Sequence, residues 1–235
     1  MKSNLIMKET DIEKEDNVTR GEKFTGKPAK DVFTEVFTIN DWSSTESHSG
    51  MGSTLEFTTN TRKNLPLLWE QYNIKKVLDI GCGDFNWMKE IISNLDYYKG
   101  TDIVDGITNL NIERHRVKGK VEFETCDIIE GCNANPKDFN AIILKDVLVH
   151  FPIDVANFVM EKLKKTGIKY IFITHFKNEK ENADLNVFGQ WRPLNMSIKP
   201  FNLGKPLAII TEEAEEYLWK DKTMKDKTLS LWKIN

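Results

Sequence analysis

The sequence predicts an α/β fold, a Rossmann-like, seven-stranded, mostly parallel sheet with helices on both faces and a C-terminal antiparallel hairpin. Three observations lead to this prediction. Apolar segments alternate with helical patterns from about residue 74 to residue 175, which indicates parallel strands joined by crossover helices. A glycine-containing turn follows the first apolar segment. Two further strand-like segments, PLAIITEE and TLSLWKIN, follow without a long helical pattern between them.

The first 72 residues are predicted to lie outside the sheet. Residues 1–27 are polar, mixed in charge and weakly periodic, so we expect a mobile arm. Residues 28–72 are expected to form a helical cap or lid. In this segment DVFTEVF presents its apolar residues on one helical face, and a second helix is predicted from Thr54 to Tyr72. The Ser-, Thr- and Gly-rich stretch NDWSSTESHSGMGSTLE separates the two helices.

Residues 73–235 are assigned to the sheet domain. The first strand is KKVLDI, and Asp84 is placed to cap a helix with the sequence FNWMKEIISNL. The second strand, YYKGTDI, precedes a helix that ends near Arg116, and KVEFETCD alternates as a third strand does. The apolar run FNAIILKD is typical of a strand buried on both faces. A helix between Pro152 and Gly167 then leads to the fifth strand, KYIFITH.

A long segment with little periodicity, residues 176–205, separates the fifth strand from the hairpin. An irregular insertion of this length is usually functional or disordered. Its aromatic residues, Phe188, Trp191 and Phe201, argue against disorder. We therefore predict a lid on the substrate side of the site.

Charge and composition exclude several classes of function. The formal net charge is only −3, and five Arg stand against 28 Lys, so nucleic acid is not an expected partner. No apolar run approaches the roughly 20 residues of a membrane span, and the N-terminus has no apolar core like that of a signal peptide. We expect a cytoplasmic protein, and its oligomeric state is left open.

The cysteines and histidines show no spacing that suits a metal. Cys82, Cys126 and Cys132 are not expected to form a disulfide framework, and no C-x-x-C is present. The four histidines likewise show no H-x-x-x-H spacing. We predict no metal, and a reducing compartment agrees with this cysteine usage.

The turn in VLDIGCGDFNWM departs from a dinucleotide-binding turn at one position. Gly81 and Gly83 fit G-x-G-x-x-G, but Asn86 replaces the third glycine. Asp79 and Asp84 add two negative charges where a dinucleotide would place its pyrophosphate. Carboxylates repel a pyrophosphate, so a ligand that carries an amino group and a sulfonium fits better. Asp79 has the alternative roles of helix cap or salt-bridge partner.

Acidic residues also end the next two predicted strands. Asp102 lies 23 residues after Asp79, where an acid can accept the hydroxyls of a ribose. Asp127, in Cys126-Asp127-Ile128, offers a carboxylate to an adenine amine. The alternative for Asp102 is a polar turn at the end of its strand. Because the carboxyl ends of parallel strands share one sheet edge, both acids are expected beside the glycine turn.

The chain resembles the class I S-adenosylmethionine-dependent methyltransferases over roughly residues 74–175, in the segments VLDIGCGDFNW, YKGTDI, ETCDI and FNAIILKDVLVHFP. The resemblance implies S-adenosylmethionine as cofactor and S-adenosylhomocysteine as product. NDWSSTESHSGMGS and GQWRPLNMSIKPFNLGKPL look like segments of bacterial methyltransferases of glycan and capsule modification. The cofactor residues that the resemblance implies are Asp79, Gly81, Cys82, Gly83, Asp84, Asp102, Ile103, Asp127, Ile128, Lys145, Ser49, Gly50, Gly52 and Ser53.

Two histidines are candidates for a general base. His150 follows Asp146 by four residues, so a helical turn would place both on one face, where Asp146 orients the imidazole or binds substrate. His175, at the end of the fifth strand, is the rival base. The alternative for His150 is a side chain packed beneath the loop, and His115 is expected to be a solvated helix residue.

Five residues are candidates for acceptor binding: Trp42, His48, Trp191, Arg192 and Asn195. Aromatic rings stack on sugars, and Arg can bind a phosphate or a carboxylate. The alternative for Trp191 is to anchor the insertion to the core.

The leading hypothesis is O-methylation of a small molecule or a sugar-type glycan precursor, including a phosphorus-linked oxygen such as that of a phosphoramidate. A histidine base suits a hydroxyl acceptor, because the hydroxyl proton must leave as the methyl group is transferred in line. N-methylation of nucleic-acid bases is disfavoured, because enzymes that methylate base amines often have Asn/Asp-Pro-Pro-aromatic after the fourth strand. This chain has Lys145-Asp146-Val147-Leu148 at that place. The alternatives are an NAD-dependent oxidoreductase and a non-catalytic module that binds S-adenosylmethionine.

Overall fold

The structure, a computed structural model, describes residues 9–132, 135–212 and 226–235. One seven-stranded sheet has the strand order β3-β2-β1-β4-β5-β7-β6. Among the strands of the described residues, β7 alone runs antiparallel to its neighbours, β5 and β6. The predicted fold class is confirmed. The strands are β1 Lys76–Ile80, β2 Tyr97–Asp102, β3 Val121–Thr125, β4 Ala141–Leu144, β5 Tyr170–Phe176, β6 Ala208–Thr211 and β7 Lys227–Lys233.

The strand sequences explain the layered core. All four residues of β4 and all seven of β5 are buried, as expected for central strands that are covered on both faces. Helix α3, Thr59–Gln71, packs on one face through Leu65 and Trp69. Helix α5, Ile153–Lys164, covers the other face through Val159 and Met160. Helix α4, Asp105–His115, lies beside β2 and β3.

The predicted helix after β1 is wrong. FNWMKEIISNL forms only two short 3₁₀ turns, Met88–Glu90 and Ile92–Asn94. Phe85 has a φ of 60°, in the left-handed region that an α-helix excludes. The Asp84 carboxylate, predicted as a helix cap, instead accepts hydrogen bonds from residues 47–49. Tertiary contacts therefore override the helical pattern.

Three helices are described in the N-terminal third. Helix α1, Glu9–Phe24, occupies much of the predicted arm, whose first eight residues lie outside the described ones. Helix α2, Ala29–Thr38, matches the predicted amphipathic helix, whereas α3 begins five residues later than predicted. The ammonium groups of Lys23 and Lys27 both pair with Glu35, which joins α1 to α2. Phe24 packs with Val32 and Val36 of α2.

The insertion between β5 and β6 is irregular but well packed. Leu194, Met196 and Phe201 are buried against the core that α5 covers. The connection between β6 and β7, predicted to be polar, lies outside the described residues for positions 213–225. Among the helices that the structure describes, none has the length and apolar character needed to cross a membrane.

Cys126 and Cys132 form a disulfide, so the expectation for this pair of cysteines is wrong. Their Cα atoms are 5.3 Å apart, within the usual range for a bridged pair. The turn that follows β3 reverses the chain, with Gly131 at a φ of 123°, and this brings the two residues together. Cys82 remains a free, buried thiol.

Candidate active site

A cavity of about 360 Å³ opens at the carboxyl edge of β1, β2 and β4. Helix α2 and the roof segment, residues 46–53, cover part of it, and Trp191 of the insertion forms part of its wall. Of the residues predicted from the sequence, these line the cavity: Trp42, Ser49, Gly50, Gly52, Ser53, Gly81, Gly83, Asp102, Ile103, Asp127, Ile128, Lys145, Asp146, His150 and Trp191. Residues from separate parts of the chain thus meet at one edge of the sheet.

The turn after β1 leaves no space for side chains at its two glycines. Gly81 has a φ of 70°, and a Cβ there would lie 2.4 Å from Cγ2 of Val147. Gly83 has a φ of 56°, and a Cβ there would lie 2.1 Å from Oγ of Ser49. Both positions therefore need glycine, because the backbone is left-handed and a neighbouring side chain is already in contact.

Three predicted residues support the turn from outside the cavity. Asp79 is buried, and its carboxylate accepts a hydrogen bond of 2.8 Å from the Tyr98 hydroxyl. Burial raises the pKa of Asp79 to about 7. Cys82 is buried beneath the turn, and Asp84 binds the roof segment through Ser47, Ser49 and the His48 N–H. The structure brings these three residues to the turn but not to the cavity wall.

Asp102 and Asp127 reach the cavity from the ends of β2 and β3. The two carboxylate oxygens of Asp102 accept hydrogen bonds from the N–H groups of Gly83 and Val104, at 3.1 and 3.0 Å. Burial raises the pKa of Asp102 above its usual range. Oδ1 of Asp127 accepts a hydrogen bond of 2.8 Å from the Ile129 N–H. Each carboxylate retains lone pairs for a polar ligand.

Asn86, the residue that replaces the third glycine, holds the roof segment in place. Its Nδ2 donates to Oε1 of Glu46 at 2.6 Å and to the Ser53 carbonyl at 3.2 Å. Oε1 of Glu46 also accepts from the Leu55 N–H at 2.7 Å. The departure from the glycine pattern thus has a structural reason that the sequence motif did not reveal.

A buried ionic network forms the wall behind β4. Oδ2 of Asp146 lies 2.6 Å from Nζ of Lys145 and 2.7 Å from Nζ of Lys227, and Glu212 pairs with both lysines. Thr174 donates to Oδ1 of Asp146. Burial alone would raise the pKa of Asp146, but the two ammonium groups outweigh burial and hold the pKa below its usual range.

Sequence reasoning missed Lys227 and Glu212. The available signal was a charged residue beside each of two otherwise apolar strands of the hairpin. Nζ of Lys145 also donates to the Gly52 carbonyl at 2.8 Å, which joins this network to the roof segment.

His150 lines the cavity as a neutral imidazole. Its Nδ1 lies 2.9 Å from the Gln190 carbonyl oxygen, which can only accept, so Nδ1 carries the proton. Nε2 then keeps its lone pair. Burial lowers the pKa of His150 to about 4. The ring lies 5.4 Å from the Trp42 ring, between centroids. A neutral imidazole with a free Nε2 is chemically able to accept a proton.

The other histidines do not line the cavity. His175 is buried, its Nδ1 accepts from the Met196 N–H at 3.2 Å, and its ring packs edge-on against Trp232. Burial lowers the pKa of His175 to about 4. His48 is exposed and packs against Phe37, and His115 packs against Phe85.

Of the five candidate acceptor residues, the structure brings two to the cavity, Trp42 and Trp191. The Arg192 guanidinium donates to the carbonyls of Leu148 and Phe151, both at 2.7 Å, and to that of Ala183. The Asn195 amide donates to two carbonyls of residues 177–179. The side chains of Arg192 and Asn195 therefore hold the insertion together.

No group of three or more His, Cys, Asp or Glu side chains comes together as a potential metal site within the described ranges.

Comparisons with known proteins find solved structures that share this fold but find no match by sequence. No protein-family model matches the chain, and no curated protein sequence matches it. Magnesium protoporphyrin IX methyltransferase from Synechocystis PCC 6803, solved with bound S-adenosylmethionine, is 12% identical with a TM-score of 0.59, and the match covers 89% of this chain and 98% of that one. N-methyltransferase NodS from Bradyrhizobium japonicum WM9, in complex with S-adenosylhomocysteine, is 11% identical with a TM-score of 0.58, over 85% and 97%.

Human N-acetylserotonin methyltransferase, in complex with S-adenosylmethionine, is 13% identical with a TM-score of 0.54, over 93% of this chain and 64% of that one. At these identities the likeness establishes a shared fold.

Proposed function

We propose that this protein is an S-adenosylmethionine-dependent methyltransferase. The observation that carries the proposal is the cavity at the carboxyl edge of a β3-β2-β1-β4-β5-β7-β6 sheet, with a two-glycine turn and the Asp102 carboxylate side by side. The fold that it shares with structures holding S-adenosylmethionine or S-adenosylhomocysteine supports this reading. When bound, the cofactor supplies an electrophilic methyl group on a sulfonium.

The residues around the cavity fit this cofactor. Asp102 would accept hydrogen bonds from the ribose hydroxyls, Ile103 and Ile128 would frame the adenine, and Asp127 would accept from its amine. Gly81 and Gly83 line the cavity without a side chain, so the methionine part would be able to approach their backbone closely. Ser49, Gly50, Gly52, Ser53 and Lys145 close over it, while Asp79, Cys82 and Asp84 act from behind the turn.

A dinucleotide fits this edge less well. In a dinucleotide-binding fold the pyrophosphate binds at the free N–H groups of the α-helix that follows the first strand. Here the chain between β1 and β2 forms only two short 3₁₀ turns. The Asp84 and Asp102 carboxylates lie beside the same turn and would repel an anion. These two observations disfavour the NAD-dependent oxidoreductase.

We assign His150 as the general base of an O-methylation. Its Nδ1–H is held by the Gln190 carbonyl, so the unprotonated Nε2 would be able to take the proton from an acceptor hydroxyl during methyl transfer. Asp146 is a poor base, because two ammonium groups and the Thr174 hydroxyl already occupy its oxygens. His175 is not retained as a base, since its Nδ1 and ring are engaged in the core.

For the acceptor, we propose a sugar-type hydroxyl from surface polysaccharide or capsule assembly. The two segments that resemble glycan and capsule methyltransferases supply Trp42 and Trp191, whose rings lie on the cavity wall and suit stacking on a sugar. A phosphorus-linked oxygen is the weaker choice, because both lysines that line the cavity are paired with carboxylates. A cytoplasmic location remains a prediction, and there the Cys126–Cys132 bond would be reduced.

The proposal is tested by calorimetric titration of the purified protein with S-adenosylhomocysteine and, separately, with NAD. We expect S-adenosylhomocysteine to bind with a Kd on the order of 1–10 µM and Asp102→Ala to abolish binding. Asp96→Ala is the matched control, because this exposed acid lies at the opposite end of the same strand. An isotherm with NAD and none with S-adenosylhomocysteine would refute the proposal. Binding without turnover of any hydroxyl acceptor would favour a non-catalytic module.

A further inference from the structure

Helix α1 binds the backbone next to the cavity through one amide side chain. Nδ2 of Asn17 donates to the Trp191 carbonyl and Oδ1 of Asn17 accepts from the Trp191 N–H, both at 2.9 Å. The main-chain oxygen of Asn17 accepts from Nε2 of Gln190 at 2.6 Å. One residue of α1 therefore binds both the backbone N–H and the backbone carbonyl of Trp191, and it also binds the Gln190 side chain.

Arg20, one turn further along α1, joins two segments that flank His150. Its side chain is buried, with Nη1 at 2.8 Å from Oδ2 of Asp41 and at 3.3 Å from the Gly189 carbonyl. Asp41 immediately precedes Trp42, and Gly189 immediately precedes Gln190. Both neighbours contribute to the surroundings of His150.

The segment that α1 holds determines how His150 is oriented. The Gln190 carbonyl accepts from Nδ1 of His150 at 2.9 Å, and the Gly189 N–H donates to the His150 carbonyl at 3.1 Å. On the other side, the Trp42 ring lies against the imidazole. The groups that contact the Nδ1 atom, the main-chain carbonyl and the ring face of His150 all belong to chain segments that Asn17 or Arg20 binds.

The sequence of α1 suits this close approach. An asparagine amide both donates and accepts, which matches the two polar groups of a peptide, whereas an aspartate would lack the donor. Gly21 faces the same segment, and a Cβ there would lie 3.2 Å from Nε2 of Gln190. A larger residue at position 21 would push the helix away from the insertion.

We propose that Asn17 and Arg20 are positioning residues of the active site, which hold the Gln190 carbonyl against Nδ1 of His150 so that Nε2 is presented unprotonated to the cavity. The role of His150 as a general base rests on the proposed function, whereas the orientation of its ring does not depend on that function. The two residues thus act on the acceptor side through His150 and Trp191, without touching the cofactor edge.

Side-chain NMR of the full chain, labelled with ¹⁵N-histidine, measures this orientation without an acceptor. The chain has four histidines, and His150→Gln assigns the signal of interest. We expect an Nδ1–H tautomer with a slowly exchanging proton in the wild type. Asn17→Ala is expected to lose that slow proton and shift the ring toward the Nε2–H form. S-adenosylhomocysteine affinity is expected to stay within about twofold, because the two sites share no partners.

Glu22→Ala is the matched control, since Glu22 is exposed on the same helix and is expected to leave the tautomer unchanged. An unchanged His150 tautomer in both Asn17→Ala and Arg20→Gln would overturn the proposal. A loss of folding stability and cofactor affinity together, with no selective change at His150, would likewise assign α1 a general structural role. Failure of the wild type to bind S-adenosylhomocysteine would refute the proposed function, while the NMR comparison would still decide this inference.

Discussion

Replacing Asp79 by Asn should stabilise the protein at neutral and alkaline pH. Asp79 is only 3% exposed, and its carboxylate accepts a hydrogen bond from the Tyr98 hydroxyl. The nearby Asp102 carboxylate raises its pKa and the Lys145 ammonium lowers it, but burial has the largest effect. Burial raises its pKa from 3.8 to about 7. This change in pKa corresponds to about 4 kcal/mol of unfolding free energy once the buried carboxyl is ionised. An asparagine has nearly the same shape and carries no charge.

The pH dependence gives the prediction its sign. Below about pH 4 the carboxyl is protonated in both the folded and the unfolded protein, so Asp79 imposes no charge penalty. Between about pH 4 and pH 7 the unfolded carboxyl ionises while the buried one keeps its proton, and the unfolding free energy falls as pH rises. Above pH 7 the whole penalty is present.

Urea unfolding of the wild type and Asp79→Asn between pH 4 and pH 8 measures this difference. The advantage of Asp79→Asn should be small near pH 4 and reach about 4 kcal/mol by pH 8. Asp96→Asn, at an exposed site beside the same sheet, should show no such trend. A difference between Asp79→Asn and wild type that does not change with pH would refute the reasoning, because the buried carboxylate would then carry no ionisation cost.

Three further predictions concern the cofactor side of the cavity. Gly81→Ala should weaken S-adenosylhomocysteine binding by about tenfold or more in calorimetry, because a left-handed alanine there also meets Val147. Asn86→Gly, which restores the dinucleotide pattern, should weaken the same binding and gain no affinity for NAD, since the roof segment loses two hydrogen bonds. Cys132→Ser should lower S-adenosylhomocysteine affinity as much as a reductant lowers the affinity of the wild type, because both changes release the turn that carries Asp127. Unequal effects of the substitution and the reductant would contradict a role for the disulfide.

The fold was predictable because its strands are apolar and continuous. FNAIILKD and KYIFITH have the composition of strands covered on both faces, and their burial follows from that composition. The helix after β1 was not predictable, since FNWMKEIISNL has a helical pattern but its residues are held by contacts with a segment about 40 positions earlier. Local pattern cannot report a partner that is distant in sequence.

The candidate site shows the same limit: residues near strand ends could be predicted, and residues whose partners are distant in sequence could not. Gly81, Gly83, Asp102 and Asp127 were predicted to share one sheet edge because each lies at or shortly after a strand end, and all four line the cavity. Arg192 was expected to meet an acceptor, yet its donors are taken by backbone carbonyls that lie 41 and 44 residues earlier in the chain. Sequence identifies a cation but does not say which acceptors surround it. Lys227 was missed for the converse reason, because only the antiparallel pairing of β5 with β7 brings it to Asp146.

The position of Lys227 in the chain has a consequence for biosynthesis. Asp146, Lys145 and the strands β1 to β5 all precede Lys227 in the chain, so one counter-ion of Asp146 is synthesised after all of them. Glu212 also depends on Lys227, because its contact with the Lys227 ammonium is shorter than its contact with the Lys145 ammonium. Charge balance at the back of the cavity is therefore complete only when β7 is paired with β5 and β6.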